Sequence, residues 1–189
     1  MLTQLRIPEA EAICASYPHQ LSGGMKQRIV IAMALAGEPD LIIADEPTTA
    51  LDVTVQAQII HLLAALVKER GMALLLITHD MGVVAQCCDK VAVLYAGRLA
   101  EAAGIDPLFA KPAHPYTRAL IACIPREDTL KGTLAGIPGT VPAVSAYPAG
   151  CRYHPRCPHA QDICRRTAPA LSERVGGVVA CHFAEACDG

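Results

Sequence analysis

Two kinds of apolar pattern alternate along the first hundred residues. "VTVQAQIIHLLAALVKERG" carries apolar side chains at Val55, Ile59, Leu62, Leu63 and Leu66, a helical spacing closed by Gly71. An earlier stretch, "MKQRIVIAMALAGEP", predicts a helix with Ser22 as its N-cap and Gly37 and Pro39 at its end. After each helix comes a short continuous apolar run, "DLIIAD" (Asp40 to Asp45) and then "MALLLIT" (Met72 to Thr78). Runs of that length without polar alternation predict strands buried on both faces. "TQLRIPEAEAICASYP" predicts a short helix ended near Pro18, "DMGVVAQCC" another helix, and "KVAVLYAG" with "RLAEAAG" a hairpin around Gly97.

Strand, helix, strand, helix is the order of a parallel sheet with flanking helices, so the fold class expected is α/β. Ligands of such sheets gather at the carboxyl ends of the strands. Those ends carry Asp45–Glu46 and Thr78–His79. Beyond about residue 105 prolines crowd in, at 107, 112, 115, 125, 138, 142, 148, 155, 158 and 169, and the helical period fades. Residues 105–150 are therefore expected to be irregular, and 151–189 a small Cys-rich module.

Composition narrows the picture. Hydrophobic residues make up 52% of the chain, enough for a core. Aromatics are only 4% with no Trp, which predicts an aliphatic core. A formal charge of −2 gives no electrostatic reason to expect a nucleic-acid partner. No apolar run approaches the roughly 18 residues of a membrane span, and "MLTQLRIPEAEAI" has acidic residues where a signal peptide is apolar. A cytoplasmic chain that touches a membrane only from outside the bilayer is expected.

Four short motifs carry the chemistry. "LIIADEP" resembles a Walker B strand, "LSGGMKQR" the signature motif of the ABC ATPases, "TALD" (Thr49 to Asp52) their D-loop, and "LLLITHD" the strand bearing their switch histidine. They occur in that family's order and at its usual separations. The resemblance implies the C-terminal part of a P-loop NTPase domain, with ATP and Mg²⁺ as cofactors. It implies Asp45 as the Mg²⁺ residue, Glu46 to orient or deprotonate the attacking water, and His79 to bond the γ-phosphate. Phosphoryl transfer depends on positioning and charge stabilisation, which suits these residue types. Gln20, Ser22, Gly23 and Gly24 are implied to reach ATP held by a partner subunit. There the Ser22 hydroxyl and close-approaching glycine amides would meet the γ-phosphate at a helix N-terminus. Asp52 is implied to act across the dimer interface.

No G-x-x-x-x-G-K-[ST] occurs in the 189 residues, and no Q-loop precedes the signature. The resemblance therefore covers roughly the second half of an ABC nucleotide-binding domain, residues 1–104. The expectation is an N-terminally truncated chain that by itself neither binds ATP tightly nor hydrolyses it. An exposed sheet edge at "DLIIAD" or its neighbour is expected as well.

"HPYTRAL" (His114 to Leu120), "IPGTVPAV" and "GCRYHPRCPHAQDICRRTAPAL" resemble the C-terminal extension of oligopeptide/dipeptide-type ABC ATPases, placed at 105–189. That resemblance implies a subunit driving uptake of peptides or related small solutes. Its partners would be a second ABC ATPase subunit, two membrane permeases and, indirectly, an extracellular solute-binding protein, at the cytoplasmic face of the membrane. Nine cysteines are present, and Cys151, Cys157, Cys164 and Cys181 give C-x5-C-x6-C-x16-C. This is not the paired spacing of a zinc ribbon, nor a common ferredoxin spacing. The four thiols could close on a [4Fe–4S] cluster, which the resemblance favours, or on Zn²⁺, or remain reduced and partly buried. His154, His159 and His182 are weaker ligand candidates, and Cys187 reads as a plain surface thiol. The alternative to an ATPase subunit is a non-catalytic remnant whose C-terminal module binds a metal or docks on a permease.

Overall fold

The computed structural model describes residues 5, 7–49, 51–125, 136–174 and 176–184. Cys187 lies outside the described residues. The chain divides into two compact units, residues 1–87 and 88–189.

In the first unit, α1 (Ala10–Cys14) is shorter than the sequence predicts. Helix α2 (Gly23–Leu35) starts where Ser22 caps it, its hydroxyl accepting from the Met25 amide at 3.3 Å. Strand β1 (Leu41–Asp45), helix α3 (Val53–Arg70) and strand β2 (Ala73–Ile77) form a parallel βαβ unit with Leu41 opposite Ala73 and Asp45 opposite Ile77. Asp52 caps α3 by accepting from the Val55 amide at 2.9 Å, and Gly71 ends it with φ 67°. Helix α4 (Met81–Cys87) follows. The core is aliphatic, as expected: Leu5, Ile31, Leu35, Ile42, Ile59, Leu63 and Leu66 are buried together.

The strands depart from expectation on one face. Ile42 and Ala44 are buried, but Leu41 is 50% exposed, Ile43 62%, Leu75 50% and Ile77 47%. The reason is coverage. The helices supply side chains to the core on the Ile42 side, and nothing among the described residues of this unit covers the other. Strands β1 and β2 pair only with each other there, so the expected open edge is present.

In the second unit, β3 (Lys90–Tyr95) and β4 (Arg98–Gly104) form the hairpin read from the sequence, with Ala96 and Gly97 at φ 47° and 77° in its turn. The Pro-rich stretch is less irregular than expected. It holds α5 (Ile105–Ala110) and α6 (Pro115–Ala122), because Pro115 occupies the first turn of α6, where a missing N–H costs nothing. Helix α7 (Asp162–Arg166) lies in the Cys-rich part. Strands β5 (Ser172–Arg174) and β6 (Gly177–Val179) then extend the hairpin into an antiparallel sheet ordered β3-β4-β6-β5. An aliphatic core was expected here too, yet Tyr95 and Tyr153 are each 3% exposed, with ring centroids 5.0 Å apart and edge to face. Three of the chain's few aromatic rings, Tyr95, Tyr116 and Tyr153, meet at this one place.

One buried carboxyl organises this unit. Glu101 is 2% exposed, and its two oxygens accept from the Ala113 and His114 amides at 2.8 and 2.9 Å. It thereby orders the turn into α6. Glu101→Ala strips two buried donors of their acceptor, and such losses run at about 1–3 kcal/mol each. Urea unfolding of the full chain should show the second unit destabilised by roughly 2–5 kcal/mol.

Candidate functional sites

Glu46 follows the last residue of β1 in a left-handed conformation, φ 44°, an uncommon one for a glutamate. Its amide donates to the Ile77 carbonyl at 2.8 Å, joining the two strand ends. Glu46 Oε2 accepts from the Thr49 hydroxyl at 2.8 Å, and Oε1 lies 3.2 Å from His79 Nδ1. The hydroxyl bond, and then the histidine contact, hold the Glu46 carboxyl below the usual carboxylate range. The His79 side chain is 82% exposed and that of Glu46 47%, so the pair stands open to an incoming group. Asp45 is exposed beside them.

The glycines of the signature stretch have a packing role that the sequence did not suggest. A Cβ on Gly24 would stand 2.8 Å from the Val55 side chain, and one on Gly23 would stand 3.2 Å from that of Leu51. The turn at Ser22–Gly24 thus packs against the start of α3, next to Asp52. Gln20 is exposed, and its Oε1 accepts from the Tyr17 amide at 2.8 Å. Ser22, Gly23 and Asp52 are exposed as well.

Two residues escaped the sequence reading. Asp80 Oδ1 accepts from the Gly82 and Val83 amides at 2.8 and 3.2 Å, and Gln56 Nε2 donates to its Oδ2 at 3.0 Å. The first turn of α3 is thereby tied to the loop that carries His79. An Asp directly before a helix was the available signal for the cap. The Gln56 bond spans 24 residues and leaves no local trace.

In the second unit Cys151, Cys157, Cys164 and Cys181 all line one cavity of about 20 Å³, with His114, His154, His159 and His182 in its wall. The Cys151 amide donates to the Cys164 carbonyl at 2.8 Å, which brings two of the four together. Burial above all pushes the Cys151 thiol up. His154 Nδ1 meets the Cys151 carbonyl and His182 Nε2 the Thr167 carbonyl, both at 2.9 Å, so each has one ring nitrogen engaged. Four thiols and no carboxylate around one cavity are a donor set suited to a thiophilic metal. The iron–sulfur expectation meets no ready-made site, however. Among the described residues no three His, Cys, Asp or Glu side chains converge on one point. The cavity is about the size of a single water-sized occupant, smaller than a four-iron cluster.

Sequence comparison now bears on both units. The family described as "ABC transporter" matches residues 1–49, and "Oligopeptide/dipeptide transporter, C-terminal region" matches residues 100–164. The probable peptide ABC transporter ATP-binding protein y4tR of Sinorhizobium fredii is 51% identical over 183 residues, 96% of this chain and 55% of that protein. The chain belongs to the ABC transporter ATP-binding family. Within that family the dipeptide transport ATP-binding protein DppD of Escherichia coli is 50% identical over 97% of this chain and 56% of its own length. The chain spans about half the length of the curated relatives it matches. Among solved ABC structures, cbiO1 from Clostridium perfringens, part of the ABC transporter complex cbiONQ, superposes with a TM-score of 0.52 at 35% identity, over 58% of this chain and 43% of that one. The α/β reading with a parallel sheet agrees with this ABC ATPase fold.

Proposed function

We propose that this chain supplies the signature, Walker B and switch-histidine face of an ATP-binding subunit in an ABC importer of di- or oligopeptides or related small solutes. The observation that carries the reading is the junction of Glu46, His79 and Thr49 at two adjacent parallel strand ends, with the Ser22–Gly24 turn packed on the same βαβ unit. ATP and Mg²⁺ are the cofactors. In this reading Asp45 holds the metal, and Glu46 orients water with His79 as its neighbour. Gln20, Ser22, Gly23 and Gly24 face a triphosphate bound by a second ABC subunit, and Asp52 faces the dimer interface. Two permeases and an external solute-binding protein complete the assembly, with this subunit peripheral on the cytoplasmic side. No described helix is long and apolar enough to cross a membrane. Residues 1–104 form the ATPase part and 105–189 the peptide-transporter extension.

Because the 189 residues hold no P-loop motif, the purified chain with MgATP should show no turnover. Adding a P-loop-bearing ABC subunit should produce hydrolysis above that subunit's own rate. Sustained hydrolysis by the chain alone would refute this arrangement.

A second role rests on a separate observation, the gathering of four cysteines around one cavity. Cys151, Cys157, Cys164 and Cys181 are proposed to hold one thiophilic metal ion such as Zn²⁺, their cavity being too small for a four-iron cluster. Such a centre would cross-link α7, which carries Cys164, to the segments before and after it.

A further inference from the structure

Gln56 sits in the first turn of α3 and is half-buried, whereas Ser22, Gly23 and Asp52 are exposed. Its amide donates to the Asp52 carbonyl at 2.8 Å, and its side-chain Nε2 donates to Asp80 Oδ2 at 3.0 Å. Asp80 is itself held in place. Its Oδ1 accepts from the Gly82 and Val83 amides at 2.8 and 3.2 Å, and its amide donates to the Thr78 hydroxyl at 3.1 Å. Those bonds reach both ends of the loop between β2 and α4. The acceptor offered to Gln56 is therefore anchored, and an anchored acceptor restrains its donor. Val55, the residue before, presses on the signature turn: a Cβ on Gly24 would stand 2.8 Å from Val55 Cγ1. Contacts this close pass a displacement on instead of absorbing it.

We propose that Gln56 is a positioning residue. Its bond to Asp80 braces the start of α3 and, through the Asp52 backbone and the Val55–Gly24 contact, holds the partner-facing surface in the geometry that a neighbour's triphosphate needs. The inference rests on the role proposed above for Ser22, Gly23, Gly24 and Asp52. A side-chain amide suits the task, because it offers a donor to a carboxyl, where a glutamate would set two carboxylates against each other.

The test uses the full chain with a P-loop-bearing ABC subunit and MgATP, and reads the hydrolysis added to that subunit's own rate. Gln56→Met keeps the length of the side chain and removes the donor. It should lower the added kcat about ten- to a hundredfold, the scale of a small misplacement at a reacting centre. The KM for ATP, set by the partner's P-loop, should stay unchanged, which marks an interaction used only in the transition state. The melting temperature should stay within a few degrees of wild type. Gln56→Lys returns a donor to the Asp80 carboxylate and should recover most of the rate. Wild-type kcat in Gln56→Met, or no recovery in Gln56→Lys, would overturn this role and leave the proposed function standing. A kcat loss matched by a collapse in melting temperature would overturn it too, by making Gln56 purely structural. A folded wild-type chain that adds no hydrolysis would remove the proposed function and this inference together.

Discussion

Gly150→Ala should cost the second unit roughly 2–4 kcal/mol. Gly150 has φ +70°, a conformation that penalises any Cβ, and a Cβ there would run into the Cys164 carbonyl oxygen and stand 2.9 Å from the Arg165 carbonyl carbon. Those atoms are backbone and cannot rotate aside. The next residue, Cys151, donates its amide to that same Cys164 carbonyl, so the displacement falls on the bond that brings two of the four thiols together. Urea denaturation should report the destabilisation, and Co²⁺ uptake should fall along with it. Gly136→Ala is the matched control. Gly136 has no described atom within 4 Å of where a Cβ would stand, so the Gly136→Ala chain should stay within about 0.5 kcal/mol of wild type. Equal effects at the two positions would contradict the packing described for Gly150.

Gly23→Asp should abolish function while sparing the fold. A Cβ at Gly23 meets only the end of the Leu51 side chain, at 3.2 Å, and that side chain can yield by a few tenths of an ångström. The added carboxylate would stand at the exposed first turn of α2, where the proposed function places a partner's γ-phosphate. Like charges would then oppose each other, and an amide approach would be blocked. Loss of a single preorganised donor to a developing oxyanion already costs about 10²–10³ in rate. The hydrolysis that wild-type chain stimulates in a P-loop-bearing partner subunit should drop at least about 10²-fold. The melting temperature should shift by no more than a few degrees. Full stimulation by the variant would place the signature turn away from any triphosphate.

The first unit could be read almost directly from its sequence because its information is local. Ser22 and Asp52 announce helix starts, Gly71 an end, and "DLIIAD" and "MALLLIT" are strands in the register that a βαβ crossover demands. The strand ends named in advance, Asp45–Glu46 and Thr78–His79, do come together through the Glu46–His79 contact. What could not be read was which face of those strands would be covered, since an apolar run looks the same with one face packed or two. The second unit was read poorly for the opposite reason. Its order comes from pairs far apart in sequence, such as Glu101 with His114, Arg156 with the Ile137 and Pro138 carbonyls, and β4 with β6. Prolines that looked like breakers turned out, at Pro115, to start a helix. A low aromatic percentage concealed the fact that three tyrosines share one cluster.

The bare side of the β1–β2 ribbon also bears on handling. Leu41, Ile43, Leu75 and Ile77 lie on neighbouring strands with about half of each side chain in water. Shielding an aliphatic side chain of that size fully is worth about 1.5–3 kcal/mol. Four of them side by side make a greasy stripe that draws in dye, detergent or another chain in proportion to concentration. A companion surface laid over that stripe should therefore lower its uptake of dye and slow its self-association.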